Sequence, residues 1–132
     1  MKYILIALSV LVLFSCHRCK TKSLSPEQKI EKIAQQKYHE KYTLQWNETK
    51  DYVFIQKKKA INHSPFPTIS FAVYDSRTQK LLFEDTVPGG QIKWLTNDII
   101  EVYSLVGRPK DIHTNKKKPL YRYNVKKHTK TK

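Results

Sequence analysis

The chain has 132 residues, enough for one domain of common size but not for two. Its formal net charge is +14, and 21 of its 25 basic residues are lysines. This balance favours anionic partners, although lysine-rich surfaces also serve solubility alone. With only Gly89, Gly90 and Gly107, the chain excludes a glycine-rich phosphate-binding loop.

The first sixteen residues have the pattern of an export signal. Lys2 precedes an unbroken apolar run over residues 3–14, and Cys16 closes the segment. The run fits the roughly 7 to 15 residues of a signal-peptide core and falls below the ~17 that a helix needs to cross a bilayer. The segment therefore predicts a cleaved signal over residues 1–15 rather than a transmembrane anchor.

A resemblance to the bacterial lipobox lies at the end of this signal, in Leu13, Phe14, Ser15 and Cys16. In that motif a small residue before the cysteine fits the signal peptidase, and the thiol receives diacylglycerol before cleavage. The resemblance covers four residues and implies a lipid on Cys16 and a place in the bacterial cell envelope. If sorting resembles that of Gram-negative bacteria, His17 after the cysteine implies the outer membrane, facing the periplasm.

Cys16 and Cys19 also match the Cys-x-x-Cys spacing of thiol-disulfide oxidoreductases. Such motifs open a helix after a strand, whereas this one follows a signal core and precedes a polar spacer. With Cys16 acylated, Cys19 has no partner cysteine in the chain, so we predict no internal disulfide. An uncleaved tether and redox chemistry are the alternatives.

Residues 16–24 are basic and hydroxylated and predict a short tether. A helix is predicted to follow, because Ser25 is a good N-cap, Pro26 suits the first helical position, and Gln28 completes a capping box. The apolar positions then recur every three or four residues, at Ile30, Ile33, Ala34 and Tyr38. This stripe predicts a helix that packs on a sheet.

The rest of the chain predicts strands, over residues 42–46, 52–55, 68–74, 80–86, 91–95, 99–106 and 120–125. The strongest turn signal is Val87-Pro88-Gly89-Gly90, which we expect to continue a meander. Residues 126–132 predict a basic tail that frays into solvent. The fold class predicted over residues 25–125 is a single α+β domain, with the N-terminal helix packed on an antiparallel β-meander of about five to seven strands. A small partly closed β-barrel is the alternative.

No catalytic or metal-binding constellation is predicted. The five histidines are dispersed, and Glu84 and Asp85, as neighbours on one strand, face opposite sides. We therefore predict no enzymatic activity, no cofactor and no metal. The glycosylation patterns that begin at Asn47 and Asn62 are interpreted as chance matches in a bacterial lipoprotein.

The candidate site is the basic C-terminal region, because residues 108–132 carry ten basic residues against one acidic residue. Tyr121 and Tyr123 alternate within it, and they are predicted to pack on the core while Arg122 faces water. Residues 57–59 extend the same surface if their hairpin neighbours the last strand. The predicted contacts for an anionic partner are Lys116, Lys117, Lys118, Arg122, Lys126 and Lys127.

Two classes of function fit these features. The first is a non-catalytic envelope lipoprotein, anchored through Cys16, whose basic side contacts an envelope protein or an anionic envelope polymer. The second is an envelope enzyme, or an enzyme inhibitor or immunity-type lipoprotein. A lysozyme inhibitor is disfavoured because lysozymes are usually cationic and would be repelled. Nucleic acid is disfavoured because an exported, lipid-anchored protein rarely meets it.

Overall fold

The computed structural model describes residues 23–39, 41–61, 66–104 and 118–132, and in them one helix and eight strands. The helix is α1 (Pro26–Tyr38). The strands, in chain order, are β1 (Tyr42–Trp46), β2 (Tyr52–Lys59), β3 (Thr68–Asp75), β4 (Leu81–Pro88), β5 (Gln91–Trp94), β6 (Ile99–Tyr103), β7 (Tyr121–Asn124) and β8 (Thr129–Thr131). In this part of the chain no helix is long and apolar enough to cross a membrane.

Two antiparallel sheets of four strands face each other. The first has the order β1-β2-β3-β4 and the second β5-β6-β7-β8, so within each sheet a strand pairs with the next one in the chain. Apolar side chains of both sheets form one buried core between them, including Phe54, Phe71, Val73, Ile100 and Val102. The fold is a β-sandwich, in which two inner faces bury apolar surface that neither sheet could bury alone.

The predicted α+β fold, with the helix on a single meander of five to seven strands, is therefore wrong, and so is the alternative of a partly closed barrel. The reason lies at Gly89 and Gly90, whose φ angles are +64° and +94°. They carry the chain from the end of β4 into the second sheet instead of turning it back into a hairpin. A Cβ on Gly90 would lie 1.9 Å from the carbonyl oxygen of Tyr103, so this corner requires glycine.

Helix α1 covers the outer face of the first sheet. Its buried residues Ile30, Ala34 and Tyr38 pack against Val53 and Ile55 of β2. The central strands β2 and β3 thus have the helix on one face and the second sheet on the other. This two-sided burial explains the uninterrupted apolar run at the centre of β2, because a strand with one wet face would alternate.

The predicted start of α1 is confirmed. The Gln28 N–H donates to Ser25 Oγ at 3.2 Å, and the Ser25 N–H donates to Gln28 Oε1 at 3.0 Å, which completes the capping box. At the other end of the helix, the Lys57 ammonium donates to the Tyr38 carbonyl oxygen at 3.0 Å. A cation there suits the negative end of the helix dipole.

The C-terminal residues form a strand, so the prediction that they fray is wrong. The Asn124 side-chain oxygen accepts from the N–H groups of Lys126 and Lys127 at 3.1 and 2.8 Å and thereby closes a turn. Thr129–Thr131 then pairs with β7 as strand β8. The side chains of β8 are polar and exposed, so the composition of this segment resembles that of a solvated tail.

The strands run between two ends of the sandwich. We call one the hairpin end, because the turns over residues 47–51, 76–80, 95–98 and 125–128 lie there. We call the other the loop end. It holds the end of β2, the start of β3, the Gly89–Gly90 corner, the end of β6, the start of β7 and the residue after β8. Helix α1 begins at the hairpin end, where Lys50 and Glu27 pair, and finishes at the loop end.

Candidate functional site

The loop end collects lysines. Lys41 precedes β1, residues 57–59 end β2, Lys118 precedes β7, and Lys132 follows β8. Among the residues that the structure describes, no Asp or Glu lies at this end; Glu40 and Asp111 are outside them. Six cations without a described acid give this end a positive potential that favours an anionic partner.

Two acids inside strand β4, Glu84 and Asp85, are already in ion pairs. Glu84 contacts Lys37 of the helix at 2.5 Å, and Asp85 lies 3.5 Å from Lys130. The pKa of Lys37 is raised by its hydrogen bond to Glu84. These pairs lower the influence of both carboxylates on the loop-end lysines.

Three large apolar side chains are exposed beside these lysines. Ile61 is 46% exposed and follows Lys59 by two residues, and Phe66 is 39% exposed. Leu120 is 50% exposed, and its N–H donates to the Val102 carbonyl oxygen at 2.7 Å, which fixes its backbone to β6. The loop end therefore combines cations with accessible apolar surface.

The hairpin end has a balanced charge. Five basic residues there, Lys50, Arg77, Lys80, Lys126 and Lys127, stand against five acids, Glu27, Glu48, Asp51, Asp75 and Asp98. Arg77 Nη2 lies 2.6 Å from Asp51 Oδ1, and Lys50 lies 3.0 Å from Glu27. Hydrogen bonds from Thr49 and then Arg77 lower the pKa of the Asp51 carboxyl. This end has no excess of either sign.

The predicted site residues do not form one surface. Lys118 lies at the loop end, whereas Lys126 and Lys127 lie in the β7–β8 turn at the hairpin end. Cys16, Lys116 and Lys117 fall outside the described residues. Lys41 and Lys132 were not predicted as members of the basic end, because only strand pairing brings Lys41 beside the end of β2 and Lys132 beside the start of β7.

Arg122 is engaged in a network on the outer face of the second sheet. Its Nε and Nη2 atoms each lie 2.9 Å from Glu101 Oε1, while Lys93 lies 3.3 Å from Oε2. The Tyr103 hydroxyl donates to the same carboxylate at 2.6 Å. This hydrogen bond, with those from Arg122 and Lys93, lowers the pKa of Glu101, whose side chain is only 4% exposed. The guanidinium of Arg122 is thus occupied by an internal carboxylate.

The tyrosines of β7 pack into the sandwich, as predicted. The Tyr121 hydroxyl donates to Asp85 Oδ2 at 2.5 Å, and Tyr123 stacks on Phe83 with the ring centroids 4.0 Å apart. Burial and then the contact with Asp85 raise the pKa of Tyr121. The Lys130 ammonium lies 3.7 Å from the centroid of the Tyr121 ring. Because both rings are buried, they are not available to stack on a ligand.

The two carboxylates of β4 make structural contacts. Glu84 and Asp85 face opposite sides of β4, as predicted, since one contacts the helix and the other contacts Tyr121. A shallow depression at the hairpin end is lined by Asp51, Tyr52, Asp75 and Arg77. Within the described part of the chain, no three His, Cys, Asp or Glu residues are grouped so as to hold a metal ion.

Asn47 has a structural role. It is 3% exposed, its amide donates to the Asn97 carbonyl oxygen at 2.9 Å and to Thr49 Oγ1 at 3.0 Å, and its Oδ1 accepts from the Tyr52 N–H at 3.1 Å. The amide nitrogen that a glycan would need is therefore buried in a bridge between the two sheets. The second glycosylation pattern, at Asn62, lies outside the described residues.

Comparison of the chain with known protein families, with characterised proteins and with solved structures finds no match.

Proposed function

We propose that this protein is a lipid-anchored, non-catalytic binding module of the bacterial cell envelope, held in a membrane through Cys16 and contacting an anionic partner through the loop end. The observation that carries this proposal is the separation of charge in the sandwich. Six lysines meet at the loop end without a described acid, while the cations and acids of the hairpin end are equal in number.

The position of α1 supports a separation between the end where the tether joins the domain and the end that binds the anionic partner. The helix begins at the hairpin end, so the tether over residues 16–24 joins the domain there. Its 13 residues extend for about 20 Å toward the loop end. The loop-end lysines therefore lie at the opposite end of the sandwich from the start of the helix.

The anchor is tested by intact-mass analysis of the protein from bacterial membranes, with Cys16→Ser as the comparison. We expect a mass that lacks residues 1–15 and carries acyl chains on Cys16, and we expect neither change in the variant. A full-length chain without lipid would overturn the anchor and return Cys16 and Cys19 to consideration as a thiol pair.

The basic surface is tested by two triple variants of equal charge. One carries Lys58→Gln, Lys59→Gln and Lys132→Gln at the loop end, and the other changes Lys80, Lys126 and Lys127 to Gln at the hairpin end; all six lysines are exposed. The measurement is the salt concentration at which each whole chain elutes from a heparin column. We expect the loop-end variant to elute at clearly lower salt. Equal shifts would mean that only net charge matters and would overturn the proposal.

A further inference from the structure

We propose that the anionic partner of the loop end is the surface of a lipid bilayer rich in anionic phospholipid. This inference rests on the proposed function for its charge and adds the class of partner. It is carried by the coincidence, at one end of the sandwich, of lysines with exposed apolar side chains. Those side chains are Ile61, Phe66 and Leu120.

The apolar side chains lie among the lysines on both sheets. Ile61 follows Lys59 in the chain, and Phe66 precedes Thr68, the pairing partner of Lys59 in the first sheet. Leu120 follows Lys118 by two residues and approaches from the second sheet, held by its backbone bond to Val102. Facing sheets are separated by roughly 10 Å, so apolar groups stand on both sides of a basic rim.

A bilayer surface is the partner that uses both kinds of group. Anionic headgroups attract the ammonium groups, each lysine near the surface strengthening binding roughly fivefold, while the boundary with the acyl chains takes up apolar side chains. Lysine suits this position because its long stem lies along apolar surface while its charge stays in water. A soluble polyanion would satisfy the lysines but would leave the exposed surface of Ile61 and Leu120 in water.

A comparison with the hairpin end explains why the loop end is the one that contacts the bilayer. It also exposes apolar side chains, Leu81 at 39% and Leu95 at 45%. These leucines, however, lie among the five acids of that end, including Asp75 and Asp98, which anionic headgroups repel. Apolar exposure is thus similar at both ends, and charge selects the loop end.

The test uses the whole chain, purified from membranes and reconstituted into vesicles of pure phosphatidylcholine. A second, fluorescent set of vesicles is added, made either of phosphatidylcholine alone or of phosphatidylcholine mixed with phosphatidylglycerol, and co-flotation of the two sets is measured. We expect capture of the anionic vesicles only, and a loss of capture on addition of salt. Either a lipid or an uncleaved signal holds the chain in the first vesicles, so failure of the lipid anchor does not affect this result.

Two pairs of variants separate charge from apolar contact. The loop-end triple Gln variant is expected to weaken capture roughly 100-fold, and its hairpin-end counterpart much less. The double variant Ile61→Ser and Leu120→Ser is expected to weaken capture about tenfold or more at unchanged charge. Its control, Leu81→Ser with Leu95→Ser, should capture vesicles as the original chain does. Circular dichroism of each variant verifies the fold.

Three outcomes would overturn the inference. One is capture of anionic vesicles no better than of neutral ones. Another is that the hairpin-end variants weaken capture as much as the loop-end variants. A third is that the Ile61 and Leu120 changes leave capture intact while heparin still competes. In that case the partner is recognised by charge alone, as an anionic polymer would be, and the basic surface of the proposed function would stand without the bilayer.

Discussion

The two ends of the sandwich use polar groups differently. At the hairpin end, side chains close the turns. Asn47 bridges to Asn97 of the facing sheet, the Ser76 hydroxyl donates to the Lys50 carbonyl oxygen at 2.7 Å, and Asp75 Oδ1 accepts from the Arg77 N–H at 2.9 Å. Each of these groups would otherwise leave a turn with unsatisfied polar atoms.

At the loop end, the contacts we see in the described residues are made largely by backbone groups. The Gly89 N–H donates to the Pro67 carbonyl oxygen at 2.8 Å, and the Leu120 N–H donates to Val102. One hydroxyl contributes, since Ser104 Oγ donates to the Pro88 carbonyl oxygen at 2.9 Å. Among the cations of this end, Lys57 caps the helix.

Substitutions can therefore alter the stability of the fold and its surface charge separately. Polar side chains of the hairpin end hold the turns, so substituting them changes stability. Lys58, Lys59 and Lys132 of the loop end are exposed, so substituting them changes the surface potential and leaves the fold intact.

The largest expected effect on stability is at the Gly89–Gly90 corner. This corner lies at the loop end but holds the fold, so it is an exception to the separation of stability and surface charge between the two ends. Gly90→Ala should destabilise the protein by about 3 kcal/mol or more. The new Cβ would overlap a backbone oxygen, at 1.9 Å, in a conformation that L residues rarely adopt. The measurement is the free energy of unfolding from urea denaturation.

Gly89→Ala is the matched control for this corner. Its φ of +64° lies in the left-handed helical region, where a non-glycine residue costs roughly 1 to 2 kcal/mol. We therefore expect a smaller loss than for Gly90→Ala. Equal losses for the two variants would show that close approach of the Gly90 backbone to β6 does not shape the corner.

The next effect is expected at the hairpin end. Asn47→Ala should lower the free energy of unfolding by about 2 kcal/mol, because it leaves the buried Tyr52 N–H and Asn97 carbonyl groups without their partner. Asn47→Asp keeps the acceptor for Tyr52, but it buries a charge and sets a carboxylate oxygen against the Asn97 carbonyl oxygen, so it should cost at least as much. Lys59→Ala at the loop end should stay within about 0.5 kcal/mol of the original chain. A comparable loss for Lys59→Ala would contradict the separation of the two ends.

Local structure was largely accessible from the sequence. Ser25 and Gln28 specify the start of α1 through chemistry within one turn, and the structure has that capping box. The positions of β1 to β7 followed from alternation and from short apolar runs between turns, whereas β8 was not predicted. The division into two sheets was not accessible, because a Pro-Gly-Gly segment suits a hairpin and a corner equally, and only the close approach of Gly90 to Tyr103 decides. The uninterrupted apolar run over residues 53–55 indicates a strand that is buried on both faces, and the prediction of a single sheet did not use this indication.

The candidate site was accessible only in part. The prediction that Tyr121 and Tyr123 pack inside is confirmed, since alternation determines their face. The grouping of Lys118 with Lys126 failed because residues close in the chain lie at opposite ends of a strand. Charge counting along the chain cannot detect this. It also cannot detect that Arg122 is paired with Glu101, which lies opposite it on the neighbouring strand β6.

The smallest expected effect concerns Glu101, which lies between the two ends and binds Lys93 and Arg122. Hydrogen bonding to Tyr103, above all, lowers the pKa of this carboxyl below its ordinary 4.5. The folded protein therefore takes up this proton less readily than the unfolded chain does. The stabilisation is complete above about pH 4.5 and is lost as pH falls through the folded-state pKa.

Glu101→Gln removes that contribution at every pH. We expect it to cost about 1 kcal/mol near neutral pH and to make melting temperature fall less steeply than that of the original chain as pH is lowered below about 4.5. Glu48→Gln makes the same charge change at an exposed site of the hairpin end and should stay within about 0.5 kcal/mol of the original chain near neutral pH. Parallel acid slopes for Glu101→Gln and the original chain would mean that this carboxylate is not selectively stabilised in the fold.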